Sequence, residues 1–404
     1  MELLNDDCLE EIFKHLNTEE QIANIAVCTR FEVILRGMWR RRTASILRCH
    51  MFDQLKIDTK KFEKYLFEVQ FNLKKAEFIQ LSERNIESLK KYYFPQVLEL
   101  SCCTEFSEEP SDRLTKTLAI CFPHLTKLYI ESSITGKYIS SLKSLTDLKL
   151  KCSNLEPKYC SSIFKNLKLK RFEATNGCLR LRKALRHLKK CVTLEEIVMN
   201  EYYLYDIVHV LPTLVNLRKI TSYIGWDADY ILKHLAFYFG KEMKTIIINN
   251  SIWPRIPVLC ILPNMYNLEK LSLYYYELEE SEMKELAQKL SNLRELYYNR
   301  CRINTEYGLL HFVKYCKHLE VLNVSETTIS KTFINALNNF LRTTYRPKPL
   351  KVYCARTPIN KYTIEKIEDL SPMLQISFTY IKQELTEPAM YCEWEPDVQE
   401  DELT

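Results

Sequence analysis

A short frame, apolar-x-x-apolar-x-apolar, returns so regularly along this chain that few architectures can accommodate it. Its clear copies are HLTKLYI, SLTDLKL, TLEEIVM, NLRKITS, NLEKLSL, NLRELYY and HLEVLNV, with KLKRFEA, EMKTIII, PLKVYCA and PMLQISF as weaker ones. The first apolar positions are Leu125, Leu145, Leu169, Leu194, Leu217, Met243, Leu268, Leu293, Leu319, Pro349 and Met373, with gaps of 20, 24, 25, 23, 26, 25, 25, 26, 30 and 24 residues. A degraded copy, PQVLELS, begins at Pro95. Alternation at period two turns one face of a short strand inward. Between frames, SEMKELAQKL sets Met283, Leu286, Ala287 and Leu290 on one helical side, and TFINALNNFL does the same with Phe333, Ile334, Leu337 and Leu341.

A strand and a helix in about 25 residues cannot bury their own apolar faces, so successive units must stack. The period lies in the leucine-rich-repeat range, and the reading is an α/β leucine-rich-repeat solenoid with parallel strands on the concave face and helices outside. An apolar residue follows near the eleventh position of most units (Leu155, Leu179, Leu204, Leu278, Ile303, Ile329, Ile359). The ninth position, Asn or Cys in regular repeats, is Cys only at Cys301, so the usual ladder of buried hydrogen bonds should be largely missing.

Composition narrows the chemistry. With 6 glycines in 404 residues, a Gly-rich phosphate loop is nearly excluded. No GxSxG, HExxH or GxxxxGK[ST] is present. Cys301, His311, Cys316 and His318 have ligand side chains at a spacing that fits no familiar zinc pattern. No catalytic residue, metal or cofactor is therefore expected. The 15 cysteines are odd in number, lack CxxC and sit among Leu and Ile, which reads as reduced core thiols. No apolar run approaches the roughly 18 residues of a membrane span, and Met1 to Asp7 lacks the charged and apolar regions of a signal peptide, so cytosol or nucleus is the expected location. The net charge of +5 hides an acidic end: Gln383 to Thr404 carries eight acids and no Lys or Arg.

A scaffold of this kind binds rather than catalyses. Positions three, five and seven of each frame face the concave side, beginning Lys127, Tyr129, Glu131, then Asp147, Lys149, Lys151, then Arg171, Glu173, Thr175. Later units present Tyr223, Tyr274, Tyr297 and Tyr353 with Asn249 and Asn299, Asn200 and Asn323 among them. Tyrosine combines a large body, a polar tip and few rotors, so Tyr223, Tyr274, Tyr297, Tyr353, Asn249 and Asn299 are the candidate substrate-binding residues. Tyrosine also simply suits strands. Val198 and Ile247 are apolar at positions that should face solvent. The basic run RLRKALRHLKK, Arg180 to Lys190, alternates with Leu181, Ala184, Leu185 and Leu188; a solvated outer-helix face is favoured over a phosphate site, so nucleic acid is an unlikely partner.

Residues 5–47 stand outside the repeat. Asn5 and Asp6 can cap a helix carrying Leu9, Ile12, Phe13 and Leu16; Asn17 and Thr18 can cap a second, EEQIANIAV; FEVILRGMWRRR reads as a third. Three helices in fewer than 50 residues bury too little apolar surface to stand alone, so this module must dock on the solenoid, a partner or both. The stretch LLNDDCLEEIFKHLNTEEQIANIAVCTRFEVILRGMWRRR resembles an F-box, with its leading Leu, Ile12 and Phe13 in the first helix, Leu16 at the end, Ile22 opening the second, then Val27-Cys28, Arg30-Phe31 and Trp39 before a basic stretch. Asn5 stands where that family usually has Pro, and Phe31 where Trp is common.

The resemblance implies an F-box and leucine-rich-repeat protein: a non-catalytic substrate-receptor subunit of an SCF-type cullin–RING ubiquitin ligase. Leu4, Leu9, Ile12, Leu16, Ile22 and Val27 would contact the SCF adaptor, which in turn binds cullin and RING subunits, and the concave face would hold a protein substrate. Each of the six could serve the module's own core instead; contact is favoured for Leu4 and Ile12, and internal packing for Phe13, Phe31 and Trp39. The implied layout is an F-box at 1–47, a helical linker packing on the first repeat at 48–94, repeats at 95–382 and an acidic tail at 383–404. The alternative is a repeat scaffold for protein or nucleic acid with no ligase role.

Overall fold

A computed structural model describes residues 4–49, 59–104, 111–151, 154–175, 183–223, 228–249, 261–303, 306–365, 367 and 369–381. The acidic segment 383–404 lies outside them. Three helices open the chain: α1 (Asp6–Lys14), α2 (Thr18–Asn24) and α3 (Thr29–Arg40). Asn5 caps α1, its side chain accepting the Cys8 N–H at 2.8 Å. Asn17 and Glu20 form a reciprocal capping box on α2.

The strands follow at the expected spacing: β1 (Ala44–Arg48), β2 (Lys75–Leu81), β3 (Glu99–Thr104), β4 (Lys127–Glu131), β5 (Asp147–Lys151), β6 (Arg171–Thr175), β7 (Glu196–Asn200) and β8 (Lys219–Tyr223). The series continues with β9 (Thr245–Asn249), β10 (Lys270–Tyr274), β11 (Glu277–Leu278), β12 (Glu295–Asn299), β13 (Arg302–Ile303), β14 (Val321–Asn323), β15 (Leu350–Tyr353) and β16 (Leu374–Ser377). Strands β1 to β8 pair in sequence order as one parallel sheet, and β9, β10, β12, β14, β15 and β16 as a second; β11 and β13 form a two-stranded ladder beside them. The helices Glu280–Lys289 and Lys331–Thr343 bury the face predicted from their spacing, and Pro157–Asn166 buries Cys160, Ile163 and Phe164.

The solenoid begins earlier than the sequence suggests. Residues expected to be a helical linker instead supply the end of β1, a helix at Thr59–Val69, β2 and a helix at Glu83–Leu89. The frame was hidden because β2 fills it with Leu73, Ala76 and Phe78, and β1 with Ser45 and Leu47, all buried. In β3 the inward set is Val97, Leu100 and Cys102 rather than a frame starting at Pro95, and Leu98 is exposed.

Buried thiols join the repeats. Cys121 donates to the Leu89 carbonyl, Cys191 to Leu169, Cys316 to Leu290 and Cys354 to Ser377, each bond reaching a neighbouring unit. Cys301 accepts the Tyr276 N–H at 3.3 Å and donates to the Leu273 carbonyl. All the described cysteines are free thiols. Burial pushes Cys121 and Cys354 up to about 11 and Cys160 and Cys316 to about 12, so they stay protonated and inert.

The helical module is fixed to the first units by a buried node. Trp39, fully buried, donates its indole N–H to Gln21 at 3.0 Å and meets Tyr65 edge-on at 5.1 Å between ring centres. The Gln21 amide donates to the Phe13 and Leu16 carbonyls, and Arg42 donates to Gln21 and Tyr65. Glu68, on the Thr59–Val69 helix, receives Arg36 and, at 2.6 Å, Arg40 from α3. Burial alone would raise the Glu68 carboxyl, but Arg40 and Arg36 outweigh it and hold it below the usual carboxylate range. A depressed folded value contributes stability that is present above the unfolded value and lost as pH falls through the folded one. Wild type should therefore exceed Glu68→Gln in urea stability by a constant margin from pH 7 to 5. That margin should shrink below about pH 4.3. A margin that does not narrow in acid would show that the carboxylate charge plays no part in this junction.

Candidate functional site

Helix α1 carries two apolar stripes. Leu9 and Phe13 face inward with Ile22, Phe31, Leu35 and Trp39, and Leu16 packs half-buried on that core. Cys8 and Ile12, four residues apart, form the neighbouring stripe and stay exposed, with Ile12 at 43%; Leu4, exposed as well, lies ahead of the Asn5 cap. Arg30 donates to Asp6 at 2.7 Å and to the Leu4 carbonyl, which brings the start of α3 beside the start of α1. Val27, at 62% exposure just before α3, therefore lies at the same end of the module. The six sequence-named contacts divide accordingly. Leu4, Ile12 and Val27 offer a surface, Leu16 is half-buried, and Leu9 and Ile22 are fully buried, which assigns those two to the core. Cys8 completes the exposed stripe and was missed, although its spacing of four from Ile12 was legible.

The concave face is organised in columns, because parallel strands in register place equivalent residues side by side. One column reads Lys75, Glu99, Lys127, Asp147, Arg171, Glu196, Lys219, alternating in sign across β2 to β8. Neighbours pair: Lys127 with Glu99 at 2.7 Å, Arg171 with Asp147 at 3.2 Å and Lys219 with Glu196 at 2.9 Å. Glu173, in the next column and buried, takes both Arg171 and Lys149. The charged half of the face thus neutralises itself.

From β7 onward the central column is uncharged: Val198, Thr221, then Ile247, Ser272 and Tyr297. Val198 and Ile247, the two apolar residues out of place in the sequence pattern, are buried in the floor of a hollow of about 870 Å³. Lys149, Arg171, Lys219 and Lys270 stand around it with Asp147, Glu173 and Glu196.

Tyr274 and Tyr353 are half-buried, while Tyr297 and Asn299 are buried. Lys270 lies 4.5 Å over the Tyr297 ring and Lys351 lies 4.9 Å over Tyr353. Tyr223, Asn249, Tyr274 and Asn299 hold equivalent end positions on β8, β9, β10 and β12; of Tyr223 and Asn249 only the strand position is described. Tyr297 and Tyr353 flank Asn323 in a single row. Burial is the first cause that raises the Tyr274 and Tyr297 hydroxyls above the usual tyrosine value, so both rings are neutral donors at any physiological pH.

At the rim, Tyr275, Arg300, Glu326 and Arg356 recur at the eighth position of successive units, all with φ between 53° and 59°. Left-handed backbone is unfavourable for such side chains. Here they are joined into a ladder: Arg300 donates to Tyr275 at 2.6 Å, and Glu326 binds Arg300 and, at 2.7 Å, Arg356. Arg356 lies 4.9 Å over Tyr380, which follows the last strand.

Neither a protein-family model nor a curated protein matches the sequence. Solved structures are similar in fold. An internalin of Listeria monocytogenes matches at 14% identity and a TM-score of 0.38, over 79% of this chain and 89% of that one. TLR13 in complex with ssRNA13 matches at 15% and 0.46, over 84% of this chain and half (50%) of that one. A leucine-rich-repeat protein of Leptospira interrogans matches at 16% and 0.36, over 78% and 92%. This chain is a leucine-rich-repeat solenoid, on the register of its own strands.

Removing the centre of the charged column tests its self-neutralisation. Arg171→Met leaves Glu173 buried beside two other acids, Asp147 and Glu196, and should cost about 3 kcal/mol in chemical unfolding. Adding Glu173→Gln should restore more than half of that loss, and strictly additive effects would mean that the two side chains are not coupled.

Proposed function

We propose that this chain is the substrate-receiving subunit of an SCF-type ubiquitin ligase, holding the adaptor with its helical module and a protein substrate on the concave face. The observation that carries the reading is the exposed apolar set of Leu4, Cys8, Ile12 and Val27 on a module whose core is already complete. An apolar stripe left in water beside a filled core is the mark of a protein interface. The F-box likeness of residues 3–42 points to the SCF adaptor as the protein that would cover it.

The division of labour suits delivery. The adaptor-facing stripe lies on helices anchored by Trp39, Tyr65 and Glu68 to the first units, so a bound substrate would be carried at a set distance and angle from the ligase. In this reading the chain supplies no catalysis, acts in the cytoplasm or nucleus, and commits its substrate to proteasomal degradation.

Co-expression with the SCF adaptor tests it. The wild-type chain should retain the adaptor through gel filtration. Ile12→Asp and Val27→Asp should each weaken binding about 30-fold, as loss of an interface anchor worth about 2 kcal/mol does, with no change in Tm. Leu9→Ala should lower Tm instead. Absence of adaptor from the wild-type complex, or indifference to Ile12→Asp, would leave a repeat scaffold without a ligase role.

A further inference from the structure

The concave face ends in a polar cluster that the described residues do not satisfy. Asn299 Oδ1, Asn323 Nδ2 and Ser325 Oγ are buried and lack hydrogen-bond partners among the described residues. All three sit on β12, β14 and the residues just after, at positions whose parity faces the concave side. Their orientations are set by bonds they do make. Asn323 accepts the Ser325 N–H with its carbonyl oxygen at 3.0 Å, which turns its NH2 away, and Asn299 is hydrogen-bonded to the Tyr274 hydroxyl. What remains is one acceptor, one donor and one hydroxyl, framed by Tyr274, Tyr297 and Tyr353.

Buried polar groups are normally paired, and one without a partner costs the free protein stability. Three together on adjacent strands, beside tyrosines, define the chemistry of a group that would pair them. An occupant must offer an N–H to Asn299 and a C=O to Asn323, which stand diagonally on neighbouring strands, about 7–8 Å apart, a span that one amide with a hydrogen bond at each end can cover. A neutral group suffices, since Asn299, Asn323 and Ser325 carry no charge of their own. The amide group meets these terms, and a flat amide fits between aromatic rings.

We infer that Asn299, Asn323 and Ser325, beside Tyr274, Tyr297 and Tyr353, form a site for an uncharged amide of a protein partner, either a main-chain peptide group or an Asn or Gln side chain. Residues 378–381 cover it in the free chain. They leave the edge strand β16, Tyr380 meets Arg356 beyond β15 and lies near Tyr274 on β10, and Ile381 joins Tyr297 and Lys270 in the wall of the hollow. This strap therefore crosses β14 and β12, where the unpaired groups lie. Its own hold is slight: Phe378, Thr379 and Tyr380 are exposed. An incoming segment would displace it.

The site deepens the concave-face half of the proposed function and does not involve the adaptor stripe. A phage-displayed library of random 12-residue peptides, panned on the full chain, supplies the probe. The best selected peptide, made synthetically, should be uncharged at its centre. Ser325→Ala should weaken its binding about 10-fold while Tm stays unchanged or rises, because the mutation removes a group that has no partner among the described residues. Asn323→Asp, which keeps the acceptor for Ser325 and removes the donor, should weaken it at least as much. Tyr380→Ala should tighten binding several-fold by loosening the strap. If N-methylation of one peptide bond abolishes binding, the main chain is read; if replacing one Asn or Gln with Ala does so, the side chain is read. Ile12→Asp should bind the peptide as wild type does, so failure here and failure of adaptor binding are separate results. The inference is overturned if no peptide is selected, if Ser325→Ala and Asn323→Asp bind as wild type, or if selected peptides are acidic and depend on Lys219 and Lys270 instead.

Discussion

No unit of this chain can bury the apolar side of its own strand, and that insufficiency governs the rest. A strand such as Lys270–Tyr274 becomes stable when Leu268, Leu271 and Leu273 are packed by the equivalent leucines on either side. Stacking holds the strands in parallel register, and register aligns whatever occupies the solvent-facing positions. The alternating charges of Lys75 to Lys219, the Tyr–Asn rows and the left-handed ladder of Tyr275, Arg300, Glu326 and Arg356 are all consequences of that alignment. Each ladder lets neighbouring units satisfy groups that no single unit could.

A solenoid built this way has exposed ends, and the N-terminal one is closed by the helical module. The closure is made of interlocked groups rather than apolar area alone: Gln21 ties the α1–α2 corner, accepts the Trp39 indole N–H and receives Arg42, while Tyr65 meets Trp39 edge-on. The module can then leave the apolar set of Leu4, Cys8, Ile12 and Val27 uncovered without losing its fold, because its own core and its junction are complete without it. Too small to stand alone, it gains rigidity from the first repeats and keeps a face free.

The sequence made most of this legible where the physics is periodic. Strands β4 to β10, β12 and β14 to β16, the helical faces and the capping residues Asn5 and Asn17 follow from spacing and side-chain type alone. It was illegible where an apolar position is filled by a small or polar residue, as Ala76 and Ser45 do in β2 and β1, so the β2 unit passed for a linker and β1 for the end of the helical module. It was also silent about which of two stripes on one short helix faces inward: Leu9 and Ile22 have the same apolar character as Leu4 and Val27, and tertiary packing decides between them. On the concave face the tyrosines and asparagines were visible, but not that Asn299 and Asn323 would be buried there, since period two predicts orientation and not what lies above.

The two halves of the concave face show how a repeat scaffold acquires a binding preference. Where Lys149, Arg171 and Lys219 meet Glu173, Asp147 and Glu196, every charge has a partner, and a ligand would have to break an ion pair to form another. Such a surface repels nothing strongly and attracts nothing strongly. A few strands later the neighbours cease to complement each other: Asn299, Asn323 and Ser325 stand in adjacent units with no complement between them. Selection for stability alone would replace them with apolar or self-pairing residues, as it has across β2 to β8 with alternating charge. Stability is given up there, in the same stretch where the tyrosines gather and the chain's own strap lies loosely across, and a partner that supplies the missing hydrogen bonds recovers it on binding.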